Sequence, residues 1–295
     1  MNEEKKVLIT GCSSGFGYGM TVAFLRAGWT VIATMRNAEK KTDIFLEESE
    51  KFNGCLHVKP LDVTAIKERK TLFDFVTTLG GGLDCLVNNA GYALVGALED
   101  ITEEQLRHQM EVNFFGTALM TRLFLPLLRK TGGRVLNISS MFGFAGFPLT
   151  SAYCASKFAV EGLTESLHYE LKPHGIQTCI IEPGGFRTRF SDNMVWGKNS
   201  FQNGSPFQLE SKNYQRLKEK MSSKTGTPPG KVVRAVLHLA QAKRLPLRYS
   251  VGRDALLMRL VHRLLPNAWA ILLLSSVYKK MFLKNIFKPL IPKVK

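Results

Sequence analysis

The stretch Val7-Leu8-Ile9-Thr10-Gly11-Cys12-Ser13-Ser14-Gly15-Phe16-Gly17 decides the fold. Its three leading apolar residues predict a buried strand, and the glycines predict a tight turn into a helix that ends near Gly28. Such a turn lets backbone N–H groups at a helix N-terminus approach a phosphate group closely. A glycine cluster is also typical of a plain turn, so the rest of the chain must decide between the two.

Short apolar runs alternate with longer amphipathic segments along the chain. We predict further strands at 30–35, 56–61, 83–88, 134–138, 177–181 and 247–251, and helices at 38–51, 64–79, 102–111, 113–130, 152–171 and 232–241. Apolar strands separated by helices are typical of a parallel sheet covered on both faces. We therefore predict a single α/β domain over 1–251, a doubly wound Rossmann-type fold with its ligand at the carboxyl ends of the strands.

The segment from about 184 to 228 is rich in Gly, Asn, Ser and Pro, and we predict an irregular structure for it. An irregular segment of that length in a compact domain is usually a lid or a disordered stretch. Because it follows the sixth predicted strand, we expect it to close over a site there.

The formal charge of the 295 residues is +16, and the excess lies near the C-terminus. Residues 212–295 carry 19 Lys and Arg against two acids, Glu219 and Asp254. We predict that 252–295 forms a basic, apolar-rich helical extension packed on the same domain. The overall composition, 45% hydrophobic and 22% charged, excludes a disordered chain.

The five cysteines have no paired spacing, and neither they nor the six histidines show the spacing of metal ligands. This pattern predicts no metal site and no disulfide framework, which is typical of a reducing compartment such as the cytoplasm. The apolar run near the N-terminus is too short for a signal peptide.

The glycine-rich turn resembles the T-G-x-x-x-G-x-G segment of the short-chain dehydrogenase/reductase family. Asn88-Asn89-Ala90-Gly91 resembles the family's N-N-A-G, and Tyr153 and Lys157 match its Y-x-x-x-K. Ser140 stands 13 residues before Tyr153, as the family's catalytic serine does. The resemblance covers about residues 5–251 in order, and the branch of hydroxysteroid 17β-dehydrogenases and retinol dehydrogenases looks most similar.

A second Y-x-x-x-K, Tyr214 and Lys218, has Phe201 at the serine position. We therefore expect this second pair to lie on the surface of a helix, without a catalytic role.

Tyr153 and Lys157 lie one helical turn apart, so both can point into one pocket. A nearby ammonium is expected to lower the tyrosine pKa from its usual value of about 10, giving a general acid for a ketone or base for an alcohol. By resemblance, Lys157 also holds the nicotinamide ribose, Ser140 bonds the substrate oxygen, and Asn113 holds a water that feeds protons through Lys157. The alternative for Asn113 is a polar helix residue that satisfies backbone groups.

The resemblance also implies a cofactor-binding set that is spread along the chain. It comprises Gly11, Ser13, Ser14, Gly15, Phe16, Gly17, Arg36, Asp62, Val63, Asn89, Ala90, Gly91, Tyr153, Lys157, Pro183, Gly184 and Thr188. Thr188 resembles the residue that holds the carboxamide, and Asp62-Val63 the pair that contacts adenine. For Asp62 the alternative is a helix N-cap beside Thr64.

The end of the second predicted strand indicates which cofactor is used. NAD enzymes usually place a carboxylate there, whereas this chain has Met35 followed by Arg36. Because a guanidinium binds a 2′-phosphate that a carboxylate would repel, we predict NADP(H) in preference to NAD(H). The alternative is that Arg36 is a solvated loop charge.

Large apolar side chains between Ser140 and Tyr153 and in the predicted lid favour a lipophilic substrate: a steroid, a retinoid or a long-chain keto-lipid. We expect Phe147, Phe190 and Trp196 to contact it, together with Ser140 and Tyr153. Ordinary lid packing is the alternative.

The predicted function is thus NADP(H)-dependent interconversion of a ketone or aldehyde and an alcohol on such a substrate. The alternative is a catalytically idle NADPH-binding sensor or scaffold. The intact set of Asn113, Ser140, Tyr153 and Lys157 argues against it.

The C-terminal extension 252–295, called the tail below, predicts a second kind of contact. Lys280, Lys284 and Lys288 form a basic stripe beside Phe282, Leu283, Ile286, Phe287 and Leu290. A basic amphipathic helix can lie in a membrane interface, so we predict peripheral membrane contact, with a packed helix or an oligomer interface as the alternative.

No nucleic-acid-binding module is recognisable. The family implies dimers or tetramers, so we expect a homodimer unless the tail covers the interface.

Overall fold

The computed structural model describes residues 4–188, 190, 193–224 and 227–282. Its strands are β1 Lys6–Ile9, β2 Thr30–Met35, β3 Leu56–Pro60, β4 Cys85–Asn88, β5 Leu94–Val95, β6 Arg134–Ile138, β7 Gln177–Pro183, β8 Val195–Trp196 and β9 Arg248–Val251. Its helices are α1 Gly15–Arg26, α2 Leu46–Lys51, α3 Ile66–Thr78, α4 Glu103–Met110, α5 Gly116–Thr131, α6 Ser151–Leu171, α7 Gln208–Lys224, α8 Gly230–Gln241, α9 Arg253–Leu264 and α10 Asn267–Phe282.

Seven of these strands form one parallel sheet in the order β3-β2-β1-β4-β6-β7-β9. Val7 of β1 lies opposite Val31 of β2 on one side and Cys85 of β4 on the other. From β1 the chain adds β2 and β3 on one side of the sheet and then returns to add β4 on the other side. Ligands of such sheets bind at this switch point between β1 and β4, beyond the carboxyl ends of the strands. The predicted doubly wound Rossmann-type fold is confirmed.

The two faces of the sheet are covered by different helices. Val7 and Ile9 pack in one layer with Phe24 of α1, whereas Leu8 packs in the other with Phe124 of α5. All of these side chains are buried. Because helices cover both faces, the carboxyl edge of the sheet is left as the open place for a site.

The single helix predicted over 38–51 is wrong. Two 3₁₀ turns, Ala38–Lys40 and Thr42–Phe45, precede the short α2. The backbone of Lys41 between them is not helical, with φ −132° and ψ 33°. This break lets both Ala38 and Phe45 reach the core, where each is buried.

We had predicted an irregular structure for 184–228, but part of this segment is regular. Strand β8 pairs with β5, Val195 lying opposite Leu94, and α7 spans Gln208–Lys224. Helix α7 has few apolar residues, so its periodicity is a weak signal. Strands β5 and β8 have two residues each, too few for an apolar pattern.

None of the five cysteines is in a disulfide, and four are buried: Cys12, Cys85, Cys154 and Cys179. Burial raises the pKa of Cys12 and of Cys179 to about 12. Cys55 is the more accessible thiol, with its Sγ 3.6 Å from a carboxylate oxygen of Glu4.

Candidate active site

The glycine-rich turn lies between β1 and α1 at the carboxyl edge of the sheet. Gly11 has a φ of +74°, and a Cβ on Gly17 would overlap the Gly11 carbonyl oxygen. Ser14 precedes the first turn of α1 with an extended backbone and no side-chain capping bond. The N–H groups of a first helical turn have no intrahelical acceptor, so the turn can bind an anion at this point.

The Asn88–Gly91 segment is joined to that turn by hydrogen bonds. The backbone N–H groups of Asn89 and Ala90 both donate to Thr10 Oγ1 at 2.9 Å. The side-chain amide of Asn89 donates to the carbonyls of Thr10 at 2.8 Å and Gly11 at 3.1 Å. A Cβ on Gly11 would lie 2.9 Å from the Ala90 Cα. The two motifs therefore form one wall.

A main cleft of about 540 Å³ opens along this wall. Thirteen of the predicted residues line it: Gly11, Ser13, Ser14, Gly15, Phe16, Arg36, Asp62, Val63, Asn89, Ala90, Gly91, Thr188 and Phe190. Gly17 is buried behind the turn.

Pro183 and Gly184 are not brought to the cleft. The backbone N–H of Gly184 donates to the Val251 carbonyl at 2.9 Å, and a Cβ on it would overlap the Asp254 carboxylate. These two residues therefore fix the end of β7 against β9 and α9.

One end of the cleft is basic. Arg36 and Lys41 both line it, and Met35 at the end of β2 is buried. Our sequence analysis missed Lys41, although its position five residues after Arg36 in a loop at the carboxyl edge is a signal. It also missed other lining residues, namely Ile44, Leu61, Tyr92, His108, Val112 and Asn193.

Asp62 also lines the cleft, and it is not the N-cap of α3, which is Ala65. Its carboxylate accepts hydrogen bonds from the Thr64 backbone N–H at 2.9 Å and hydroxyl at 2.7 Å. Burial acts to raise the pKa of Asp62, but these bonds and the charge of Arg36 outweigh it and lower the pKa. An ionised carboxylate thus lies near Arg36.

Ser140, Tyr153 and Lys157 come together beside the cleft but are not among the residues that line it; a Cβ on Gly91, which lines it, would lie 3.8 Å from Lys157 Nζ. The Tyr153 side chain hydrogen-bonds Ser140, and its ring lies 6.0 Å from that of Phe190, which lines the cleft. Lys157 Nζ donates to the Ile138 carbonyl at 2.8 Å. Because α6 begins at Ser151, Tyr153 lies in its first turn and Lys157 one turn later.

The expected lowering of the Tyr153 pKa by Lys157 is not seen. Burial raises the pKa of Tyr153 well above its usual value, and the bond to Ser140 offsets this only in part. Lys157 Nζ lies 5.8 Å from the ring centroid of Tyr153, and burial lowers the pKa of Lys157 to about 8. Tyr153 is therefore protonated at neutral pH, the form that can donate a proton.

Asn113 is buried in a π-helical turn, Glu111–Phe115, that joins α4 to α5. Its Nδ2 donates to the Tyr92 carbonyl at 3.0 Å and to Ser156 Oγ at 2.9 Å, and its Oδ1 accepts from the Tyr92 N–H at 3.1 Å. The side chain thus satisfies backbone groups, as the alternative interpretation expected. The water relay stays a prediction.

The predicted substrate residues lie among aromatic side chains around Tyr153. Trp196 contacts Phe201 at 4.9 Å and Tyr214 at 5.8 Å between ring centroids. We had expected Tyr214 to lie on the surface of its helix, and this prediction is wrong. Tyr214 packs on this aromatic group, and burial raises its pKa to about 12. Nothing in the spacing of its motif indicates this position.

A network of charged side chains lies behind Lys157. Arg248 of β9 bonds Glu161, and it reaches Glu165 at 2.8 Å and Glu182 at 3.2 Å. Arg259 of α9 also bonds Glu182. Both Glu161 and Glu182 are buried.

This network reaches the site through Glu161, whose carboxylate accepts the Ser139 hydroxyl at 2.5 Å. Glu161 also lies one turn after Lys157 and raises that lysine's pKa against the larger effect of burial. The network therefore links α6, β7, β9 and α9 next to Ser140.

Among the described residues, no group of three or more His, Cys, Asp or Glu could hold a metal ion.

Comparison with known proteins agrees with this geometry. The family model of the short chain dehydrogenases matches residues 5–198. A 3-ketodihydrosphingosine reductase of Bacteroides thetaiotaomicron is 34% identical, over 83% of this chain and 87% of the relative. Human retinol dehydrogenase 8 is 32% identical, over 83% of this chain and 80% of the relative.

Solved structures give the same result. A short-chain dehydrogenase from Streptomyces avermitilis superposes with a TM-score of 0.76 at 33% identity, covering 95% of each chain. ElxO with NADP bound superposes with a TM-score of 0.70 at 26% identity, over 86% of this chain and 99% of ElxO. The chain belongs to the short-chain dehydrogenase family of oxidoreductases.

Proposed function

We propose that this protein is an NADP(H)-dependent oxidoreductase that interconverts a ketone or aldehyde and an alcohol on a lipophilic substrate. The observation that carries the proposal is the main cleft, which is lined by the glycine-rich turn, Arg36 and Lys41 and has Ser140, Tyr153 and Lys157 beside its residues Gly91 and Phe190. A dinucleotide needs both a phosphate-binding turn and a reaction centre along one cleft.

The residues of the cleft fit such a cofactor. The turn at Gly11–Gly17 packs so tightly on Ala90 and on its own backbone that a Cβ at Gly11 or Gly17 has no room, and the N–H groups at the start of α1 are left to bind a pyrophosphate. Arg36 and Lys41 would hold a 2′-phosphate, and β2 ends in Met35 followed by Arg36, where NAD enzymes usually have a carboxylate. The bound cofactor supplies or accepts the hydride.

The remaining assignments to the cofactor follow the family resemblance. Asp62 and Val63 would contact adenine, Asn89–Gly91 the central part of the cofactor, Lys157 the ribose, and Thr188 the carboxamide.

The protein's own part in the reaction is the proton. In reduction, the Tyr153 hydroxyl donates its proton to the substrate oxygen as negative charge develops there, and Ser140 orients that oxygen by a hydrogen bond. The high pKa of Tyr153 keeps this proton in place until the reaction requires it. In oxidation, Tyr153 must first lose its own proton to solvent, and the phenolate oxygen then accepts the proton of the alcohol.

A lipophilic substrate is supported by the surroundings of Tyr153. Its ring contacts Phe142 and Phe190, and its cluster includes Trp196, Phe207 and Tyr214. Two of the relatives are named for 3-ketodihydrosphingosine and for retinol.

We also propose a peripheral contact with an anionic lipid surface through the C-terminal helices. α9 exposes Leu256, Leu257, Leu260 and Leu264, and α10 exposes Trp269, Ile271, Leu272 and Leu273. In the described residues no helix is both long enough and apolar enough to cross a membrane. The rest of the predicted basic stripe, Leu283, Lys284, Ile286, Phe287, Lys288 and Leu290, lies outside the described residues.

The test is NADPH oxidation, followed by absorbance, over a panel of steroid, retinoid and long-chain carbonyl compounds. Tyr153→Phe should lower kcat by about 10²–10⁴-fold on any substrate turned over, because it removes the proton donor. Tyr169→Phe is the matched control, since this tyrosine lies on the same helix and is exposed.

Tight NADPH binding without turnover on the whole panel would favour a sensor or scaffold. A Tyr153→Phe enzyme with full activity would contradict the proton role, and a failure to bind NADPH would contradict the cofactor assignment.

A further inference from the structure

A second cavity, of about 460 Å³, lies between the loop before α6 and the two C-terminal helices. Its lining is mostly apolar and comes from three parts of the chain: Gly146, Phe147, Pro148, Ser151 and Cys154; His262 of α9; and Ile271 and Ser275 of α10. It shares no lining residue with the main cleft. The cofactor assignment therefore leaves it unused.

His262 places a polar group, its imidazole ring, beside this cavity. Its Nε2 is buried and has no hydrogen-bond partner among the described residues. One face of the ring is occupied, because the Phe144 ring lies 6.1 Å away in an edge-on arrangement. Because this nitrogen has almost no accessible surface, the ring must turn toward the cavity before a ligand can reach it, and the cost of leaving a buried imidazole nitrogen without a partner favours that turn.

The cavity is close to the reaction centre. Phe147, which lines it, stacks on Phe142 with 5.1 Å between ring centroids, and Phe142 meets Tyr153 edge-on at 6.3 Å. Two stacked rings, those of Phe147 and Phe142, therefore lie between the second cavity and Tyr153. A substrate that reaches both places has to bend around the edge of this stack, which a flexible chain can do and a rigid fused-ring system cannot.

The outer rim of the cavity is open to apolar molecules. Ile271 on the rim is 62% exposed, and the neighbouring turns of α9 and α10 expose further leucines. A lipid that lies on this surface would reach the cavity without crossing a polar barrier.

We propose that the second cavity binds the remote end of a long-chain lipid substrate, and that His262 Nε2 hydrogen-bonds a hydroxyl, carbonyl or amide group on that end. This inference rests on the proposed function, and it selects the long-chain class among the three lipophilic classes left open above. It assigns the C-terminal helices a direct role in substrate recognition.

Gly146→Phe tests the cavity, because a Cβ at Gly146 meets no atom within 4 Å and the added ring can fill the space. Gly162→Phe is the matched control, since its Cβ also meets nothing within 4 Å and it lies on α6 away from the cavity. The readout is the ratio of kcat/KM for dodecanal to kcat/KM for butanal, with NADPH.

We expect this ratio to fall about tenfold or more in Gly146→Phe and to stay at the wild-type value in Gly162→Phe. An unchanged ratio in Gly146→Phe would overturn the proposal.

His262→Phe tests the hydrogen bond of the imidazole while keeping an aromatic ring in place. Wild-type enzyme should prefer 12-hydroxydodecanal to dodecanal by roughly tenfold, the factor for one neutral hydrogen bond, and His262→Phe should lose this preference. An equal preference in wild type and variant would overturn the role of His262.

A binding measurement separates this inference from the proposed function. Fluorescence of a dansyl-labelled undecanoic acid reports binding without turnover, and dodecanol should displace the probe. Weak binding only in Gly146→Phe supports the cavity, even where no carbonyl compound is reduced. Equal binding in wild type, Gly146→Phe and Gly162→Phe would overturn it.

Discussion

Lys157 is the buried cation nearest to Tyr153, and burial lowers its pKa to about 8 although Glu161 acts in the opposite direction. Tyr153 lies near Lys157 as well, and Glu161 is itself bonded to Arg248. Lys157 is therefore an ammonium below about pH 8 and loses its proton above it.

If the ammonium is needed, kcat/KM for reduction should be constant on the acidic side of this pKa and fall on the alkaline side. Tyr153 keeps its proton through this range, so it should add no second alkaline limb there. The measurement is a pH–rate profile. Lys157→Arg, which stays charged, should remove the limb at a lower overall rate, and a wild-type profile without the limb would contradict the assignment.

The basic end of the main cleft makes the cofactor preference testable. Replacing both Arg36 and Lys41 with Ser should raise KM for NADPH by about 10–100-fold, the loss expected for hydrogen bonds to a charged phosphate. KM for NADH should change little. Arg107→Ser serves as the control, because Arg107 is exposed and pairs with Glu103 on the surface of α4. Equal effects on both cofactors would indicate that the two cations bind the shared part of the dinucleotide.

Among the secondary-structure elements, the charged network joins β7 and β9 to α6 and α9. Arg248→Met would leave the buried Glu161 without its cation while Glu182 keeps Arg259, and removing one side of a buried pair costs about 3–5 kcal/mol. Arg107→Met breaks an exposed pair and should cost less than about 1 kcal/mol. Denaturant unfolding of the two variants measures the difference, and equal losses would mean that the network adds no stability.

How far the sequence predicts each element depends on how local its cause is. Strands such as β1 and β6 are continuous apolar runs, and their positions follow from the sequence alone. Helix α7 is amphipathic only through a few residues, and β5 and β8 form because distant segments meet. The π turn at Asn113 follows from the contacts of that side chain with Tyr92, which no local pattern records.

The same distinction holds for the site. Ser140, Tyr153 and Lys157 are recognisable because their order and spacing resemble those of the family, and the spacing of Tyr153 and Lys157 also fits one helical turn. Tyr214 and His262 reach their positions through packing of α7 and α9, and their neighbours in sequence do not reveal it. The effect of burial on the Tyr153 pKa is likewise a property of the folded molecule.

At the scale of the whole molecule, the apolar surface of α9 and α10 and the basic composition of the tail predict a lipid-surface contact. Deleting 268–295 should abolish flotation with vesicles that contain anionic lipid, since each basic residue near the surface adds roughly 1 kcal/mol. Neutral vesicles should bind the full chain weakly, and higher salt should release it from the anionic ones. Unchanged flotation after the deletion would contradict the prediction.

The distribution of the cysteines has a practical consequence. A maleimide reagent applied to the folded protein should react mainly at Cys55, because the other four thiols are buried. Unfolding makes all five accessible, so the number of labels per chain, read by mass spectrometry, reports the unfolded fraction directly. The native chain thus carries its own conformational probe, and a dye on Cys55 can be introduced without removing any other cysteine.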